Sequence, residues 1–173
     1  MSTYNKFWIQ KSKIIDWVTR PKVTIKKKKN NFFQIFPKAK INAYKNIIGK
    51  NLERTPNKTS IICINTNKEF QKYSYKQIDE MVNTLSIILI NKLSEKPSLS
   101  RIMIHSSSSI ESAISMLSCT KLGIFFCVIY KDLETEAINK RVSIFKPDLI
   151  LSSDQKKLSN IKFNKKKIIY FKN

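Results

Sequence analysis

His105 is the only histidine in the chain, and it closes the apolar run RIMIH at residues 101–105, immediately before four consecutive serines at 106–109. If that run is a strand of an open parallel sheet, its carboxyl end is where ligands bind, and a histidine followed by hydroxyls has the chemistry for proton transfer or anion contact. No serine or aspartate partner for His105 is identifiable from the sequence, so it reads as a structural residue at a strand end. The four serines read as a polar turn whose last members cap the following helix. Glu134 and Glu136 stand near a helix start, where carboxylates favour the dipole, and form no acid/base pair. Cys63, Cys119 and Cys127 lack metal-ligand spacing and lie among apolar residues, as buried, reduced thiols do.

Glycine usage sets a tighter limit. The 173 residues contain only Gly49 and Gly123. A loop that cradles phosphate needs glycine, because its backbone turns through positive φ and meets the anion without a Cβ in the way. Neither glycine lies in such a loop, so no nucleotide-phosphate loop is expected within these residues.

The net charge is +21, from 33 Lys+Arg against 12 Asp+Glu. Such a field attracts polyanions. Arginine, the residue suited to bidentate base or phosphate contacts, occurs only at Arg20, Arg54, Arg101 and Arg141. Lys, Asn and Ile share A/T-rich codons, so the lysine excess reads as compositional drift, and any nucleic-acid binding as non-specific. The lysine runs at 26–29 and 165–167 read as solvated loops. No apolar stretch approaches the roughly 20 residues of a membrane span. The opening MSTYNKFWIQKSK has no apolar signal core, and the expected location is the cytoplasm, with no membrane partner.

The elements that would position these residues follow from periodicity. Residues 4–17 suggest a short amphipathic helix, and residues 32–36 an extended piece. This arm carries two tryptophans and four phenylalanines that must lie on something to be buried. Residues 41–52 have a helical period. SIICIN at 60–65 reads as a short buried strand, residues 66–69 as a turn and residues 70–73 as its hairpin mate. Residues 74–93 form the clearest helix, with Ser74 and Gln77 spaced as a capping box. From Arg101 the pattern becomes strand (101–105), helix (111–122, with Ala113, Ile114, Leu117 and Leu122 inward), strand (124–130), helix (135–145, capped by Thr135) and strand (149–152). Gly123 occupies a helix C-cap position. This alternation predicts right-handed crossovers and a parallel sheet. Residues 167–171 supply one more candidate strand. The expected class is α/β: a partial parallel sheet flanked by helices behind an extended and helical arm. The arm occupies 1–56 and the sheet domain 57–173.

The order of these segments resembles the N-terminal region of the AMP-forming acetyl- and propionyl-coenzyme A synthetases. Phe7, Trp8, Ile15, Asp16 and Trp17 resemble the family's N-terminal arm. INAYKN at 41–46 resembles its LN-x-x-x-N segment, with both asparagines present at Asn42 and Asn46. YSYKQI at 73–78 resembles its tyrosine-x-x-leucine helix start, and AISMLSCTKLG at 113–123 its AVAMLACARIG-type helix. CVIY at 127–130, Glu136–Ala137, Arg141 and LILSSD at 149–154 continue the collinear series.

The resemblance implies an incomplete N-terminal domain of an adenylate-forming enzyme. The intact family joins a short carboxylic acid to ATP as an acyl-adenylate and then transfers the acyl group to coenzyme A. Its phosphate loop, ribose-binding aspartate, hinge and C-terminal lysine have no counterpart in these residues. The resemblance therefore implies a truncated or decayed fragment, inactive alone, or one half of a split synthetase with a separate chain carrying the rest. A basic nucleic-acid-binding module is the alternative from another class. No cofactor is expected for this chain alone; ATP, magnesium and coenzyme A belong to the intact family. Tyr130 falls at the aromatic position of the family's coenzyme A site, followed by Lys131 and Asp132 where the family has glycines. The arginines that hold coenzyme A phosphates fall on Leu158 and Ile161, with Lys157 one position away. Tyr130 and Lys157 are thus the expected remnants of that site.

Overall fold

The structure, a computed structural model, describes residues 3–29, 32–64, 67–93 and 97–171. Four parallel strands form its centre: β7 (Arg101–Ser106), β8 (Phe125–Tyr130), β9 (Leu149–Ser152) and β10 (Ile168–Tyr170), in the order β10-β9-β7-β8. The expected parallel sheet is therefore present, and the strand suggested at 167–171 is its outer member. β7 lies between β9 and β8, pairing Ile102 with both Leu149 and Phe126.

Because successive side chains of a strand point to opposite faces, the sheet has two cores. On one face Ile102, Ile104, Leu149 and Leu151 pack with Leu89, Cys119 and Ile124. On the other, Met103, Ile129, Ile150 and Ile168 pack with Ile138, Val142, Leu158 and Ile161. Each fully buried aliphatic side chain contributes about 1.5–3 kcal/mol, which makes these central strands the stability reservoir of the fold.

Three helices cover the sheet. α3 (Tyr75–Lys92) starts at the expected capping box: Gln77 N donates to Ser74 Oγ at 3.2 Å and Ser74 N to Gln77 Oε1 at 2.9 Å. It buries Ile78, Val82, Ser86 and Leu89. α4 (Ile110–Leu122) is capped by Ser109, and Gly123 closes it in the left-handed region at φ 71°. Its buried face includes Ile114 as expected, with Leu117 and Leu122 packed against the core, but serines and Cys119 make up the rest of it. Ser112, Ile114, Ser115, Ser118 and Cys119 are buried, whereas Ala113, Leu117 and Leu122 are only half-buried. Hydroxyls tolerate this because they return to the backbone: Ser115 Oγ donates to the Glu111 carbonyl at 2.7 Å and Ser118 Oγ to the Val82 carbonyl at 3.3 Å. α5 (Thr135–Phe145) is not capped by Thr135, which is already its first helical residue; Glu134 precedes it without a capping bond.

The hairpin of β5 (Thr59–Ile64) and β6 (Phe70–Ser74) is antiparallel, as expected. β5 is not a buried strand, since Ile62 and Ile64 face outward. Residues 65 and 66, which the sequence reading placed in the strand and turn, lie outside the described residues, as do Asn30 and Asn31 of the charged loop.

The first residues form α1 (Thr3–Lys11), followed by β1 (Trp17–Thr19), β2 (Ile25–Lys27), β3 (Phe33–Ile35) and β4 (Lys40–Ile41), paired β1 with β4 and β2 with β3. A helical stretch then runs through a π turn, Lys45–Gly49, into α2 (Lys50–Arg54). It docks Tyr44 and Ile48 into a third cluster with Ile78, Val82 and Ile114. The expectation that the arm buries its aromatics is not met: Phe7, Trp8, Phe32 and Phe33 remain exposed. All three cysteines are free, but only Cys119 is buried. Among the described residues no helix is long and apolar enough to cross a membrane.

Candidate functional site at the carboxyl ends of the strands

Parallel strands deliver their carboxyl ends to one edge of the sheet. Here that edge carries His105 and Ser106 from β7, Tyr130 from β8 and Ser152 from β9, with Ser106 in register with Tyr130 and His105 with Ser152. The turn at 106–109 follows β7 and leads into α4. Beside it lies an open groove of about 650 Å³, lined by Ser106, Ser109, Met116, Val128 and Tyr130 together with Ile62 of the hairpin.

His105 does not face this groove. It is fully buried, with Nδ1 at 2.9 Å from Ser152 Oγ and Nε2 at 3.0 Å from the Lys131 carbonyl. A carbonyl only accepts, so Nε2 carries the proton and Nδ1 accepts from the Ser152 hydroxyl in the neutral ring. Burial lowers the pKa of His105 below its ordinary value and keeps the ring neutral near pH 7. The partner absent from the sequence reading is thus Ser152, 47 residues away. The histidine latches β7 to the loop after β8 and has no access to solvent as an acid or base.

The serine turn caps its own helix, and Ser107 and Ser108 also line the groove. Ser109 Oγ accepts from Ser112 N at 3.3 Å and lies 3.5 Å from Ser106 Oγ. That is the expected helix cap. The two glycines take no part: Gly49 is helical at φ −54° and Gly123 caps α4.

Tyr130 stands at the groove rim, 57% exposed. Lys157 does not line that groove. Its Nζ lies 3.3 Å from Glu134 Oε1, and its backbone N donates to Asp154 Oδ1 at 2.9 Å. Leu158 and Ile161 are core residues. The positions onto which the resemblance places the family's phosphate-holding arginines are therefore apolar and inward, and the adjoining lysine is paired with a carboxylate. This donor set does not fit a nucleotide's phosphates. Among the described residues no group of three His, Cys, Asp or Glu is placed to hold a metal ion.

Comparison with known proteins agrees with this architecture. Residues 48–171 match the profile of the AMP-binding enzyme family. The chain is similar to propionate–CoA ligase of Escherichia coli K12, 23% identical over 150 residues, which cover 86% of this chain and 24% of the ligase. It is similar to acetyl-coenzyme A synthetase of Helicobacter pylori G27, 25% identical over 152 residues, covering 87% of this chain and 23% of the synthetase. In fold it resembles acetoacetyl-CoA synthetase from Streptomyces lividans, with a TM-score of 0.78 at 13% identity, covering 96% of this chain and 28% of that one. The chain spans about a quarter of the length of the curated relatives it matches. With most of its residues inside the family match, the chain belongs to the AMP-binding enzyme family.

Proposed function

We propose that residues 1–173 serve as the N-terminal scaffold of an AMP-forming short-chain acyl-CoA synthetase, and that they form no acyl-adenylate on their own. Adenylation requires a carboxylate oxygen to attack the α-phosphorus of ATP while pyrophosphate departs. Charge grows on the phosphoryl oxygens, and only preorganised donors and cations offset it. The observation that carries the reading is the place of the two glycines, one inside a helical turn and one capping a helix. With Ser109 Oγ capping its own helix and no glycine in the turn at 106–109, that turn is no glycine loop to grip triphosphate. Tyr130 and Lys157 are remnant positions of a coenzyme A site, one exposed and one tied to Glu134.

The test is direct. The purified chain is incubated with acetate or propionate, ATP, magnesium and coenzyme A. Acyl-CoA should not exceed a protein-free blank, and product from the chain alone would overturn the proposal.

A further inference from the structure

We propose that a cleft in the N-terminal arm, between α1, β1 and the π turn, binds a small phosphate monoester through Lys13, Arg20 and Lys45. The cleft shares no lining residue with the groove at the strand ends, and the inference does not rest on the scaffold reading.

The cleft has a volume of about 290 Å³, and Lys13, Arg20 and Lys45 line it together with Ile15, Asp16 and Trp17. The three cations come from three separate segments. Lys13 lies in the 3-10 turn after α1, Arg20 follows the last residue of β1, and Lys45 opens the π turn. Among the described residues, none of these three side-chain cations has a hydrogen bond, ion pair or ring contact within the chain. Arg20 differs in this from Arg101 and Arg141, whose guanidinium groups donate to the carbonyls of Phe145 and Ala137 at 3.3 and 3.0 Å.

The carboxylate in the wall is already engaged. Asp16 Oδ1 lies 3.2 Å from Lys50 Nζ, which also donates to the Ile14 carbonyl at 2.6 Å. Lys50 itself is not part of the lining. Asp16 is also the only acidic residue before Glu53. The arm therefore has no second carboxylate to neutralise the three cations, and the cleft keeps a positive field.

Compositional drift scatters lysines over a surface; it does not account for an unpaired arginine that shares one cleft with two unpaired lysines. A guanidinium presents a planar fork to two oxygens, and each ammonium adds a point charge. A phosphate monoester dianion, with three terminal oxygens, satisfies that set more fully than a carboxylate does. The rest of the wall suits an organic body. Ile15 and Trp17 supply apolar surface, and Trp17 is held in place: Nε1 donates to the Ser12 carbonyl at 2.9 Å, and its ring meets Phe36 edge-on at 5.4 Å. An aromatic or aliphatic group on the ester removes that surface from water. The bound ligand bridges three segments of the arm and stabilises their docking by mass action.

The experiment titrates the 173-residue chain calorimetrically with inorganic phosphate, phenyl phosphate and benzoate at fixed ionic strength. Both phosphates should bind at one site, phenyl phosphate more tightly, and benzoate should bind most weakly. Phenyl phosphate should slow amide exchange at residues 12–21 and 42–46. Arg20→Gln and Lys45→Gln should each weaken it about tenfold. Lys166→Gln removes the same charge outside the cleft and should leave the affinity unchanged. Circular dichroism confirms that the variants fold. Absence of saturable binding, phosphate binding as tightly as phenyl phosphate, benzoate binding as tightly as either, protection elsewhere, or an equal loss in Lys166→Gln would each overturn the proposal. None of these readouts depends on ligase activity, so the scaffold reading stands or falls separately.

Discussion

Asn46 holds Asp16 by both polar atoms of its carboxamide. Oδ1 accepts from Asp16 N at 2.8 Å, and Nδ2 donates to the Asp16 carbonyl at 3.0 Å and to the Asn42 carbonyl at 3.0 Å. One side chain thereby satisfies the backbone of a residue 30 positions away, in the segment that joins α1 to β1. Asn42 extends the clasp, donating from Nδ2 to the Lys121 carbonyl at the end of α4 at 3.2 Å. The two asparagines that carried the family resemblance are therefore structural pins, not ligand contacts.

Asn46→Ala should release the arm while leaving the sheet intact. Stranding a partly buried N–H and C=O costs about 1–3 kcal/mol. Limited proteolysis should cut residues 3–29 sooner than in the parent chain, with little change in the urea midpoint reported by the sheet. Unchanged cleavage kinetics would show that the clasp does not hold the arm.

How far the sequence revealed the fold depended on which signal each element used. α3 was legible twice over, from its i, i+3, i+4 apolar row and from Ser74 with Gln77. β7, β9 and the Gly123 cap were legible for the same reason, since each rule is local. The buried face of α4 was not, because hydrophobic periodicity does not see a serine that bonds back to its own helix. β8 reads as a buried strand by composition alone, and nothing local says whether a neighbouring strand covers it. The start of α5 at Thr135 was legible, but the capping position is Glu134, one residue earlier, and local propensity does not resolve a shift of one residue. The His105–Ser152 latch depends on two strands meeting side by side, and no spacing rule anticipates that.

The helix ends give a clean pair of stability tests. Ser74→Ala removes the cap of α3 and should cost about 1 kcal/mol. Gly123→Ala meets no steric obstacle, the nearest atom to an added Cβ being Ser98 Cβ at 3.8 Å. Its cost is the left-handed backbone, about 1–2 kcal/mol for a residue with a Cβ. Denaturant midpoints should fall in both, and the two losses should add because the sites share no partner.

The three thiols should separate by burial. Cys119 sits in the core beside Leu89 and Ile104, and burial pushes its thiol up to about 12. A disulfide reagent at pH 8 should leave Cys119 unmodified in the native chain and reach it on the timescale of unfolding. Cys63 and Cys127 are half-buried and should react first. Native labelling of Cys119 at the rate of the other two would contradict its placement.

The exposed lysines at 26–29 and 165–167 predict weak binding to RNA. Such binding comes from counterion release, so it should be indifferent to sequence and fall steeply with salt. Filter binding with unrelated RNAs of equal length should give superimposable curves. A marked preference for one sequence would favour a dedicated nucleic-acid module.

The last prediction concerns pH. Burial lowers the pKa of His105 most strongly; the Lys131 carbonyl and the carboxylates of Asp154 and Asp132 oppose the shift, and Lys157 reinforces it. The unfolded chain takes up a proton near the ordinary value of 6.5, whereas the folded chain does so only at lower pH. The unfolded state therefore binds more protons between those two values, and stability rises with pH across that window. His105 contributes its full share above about pH 6.5, and that share is lost as the pH falls through the lowered folded pKa. Urea midpoints measured downward from pH 7 should decline in the parent chain. In His105→Gln, which keeps a donor for the Lys131 carbonyl, the chain should be less stable at pH 7 and this part of the decline should flatten. Parallel profiles for the two proteins would mean that His105 does not titrate differently on folding, and the buried latch would have to be abandoned.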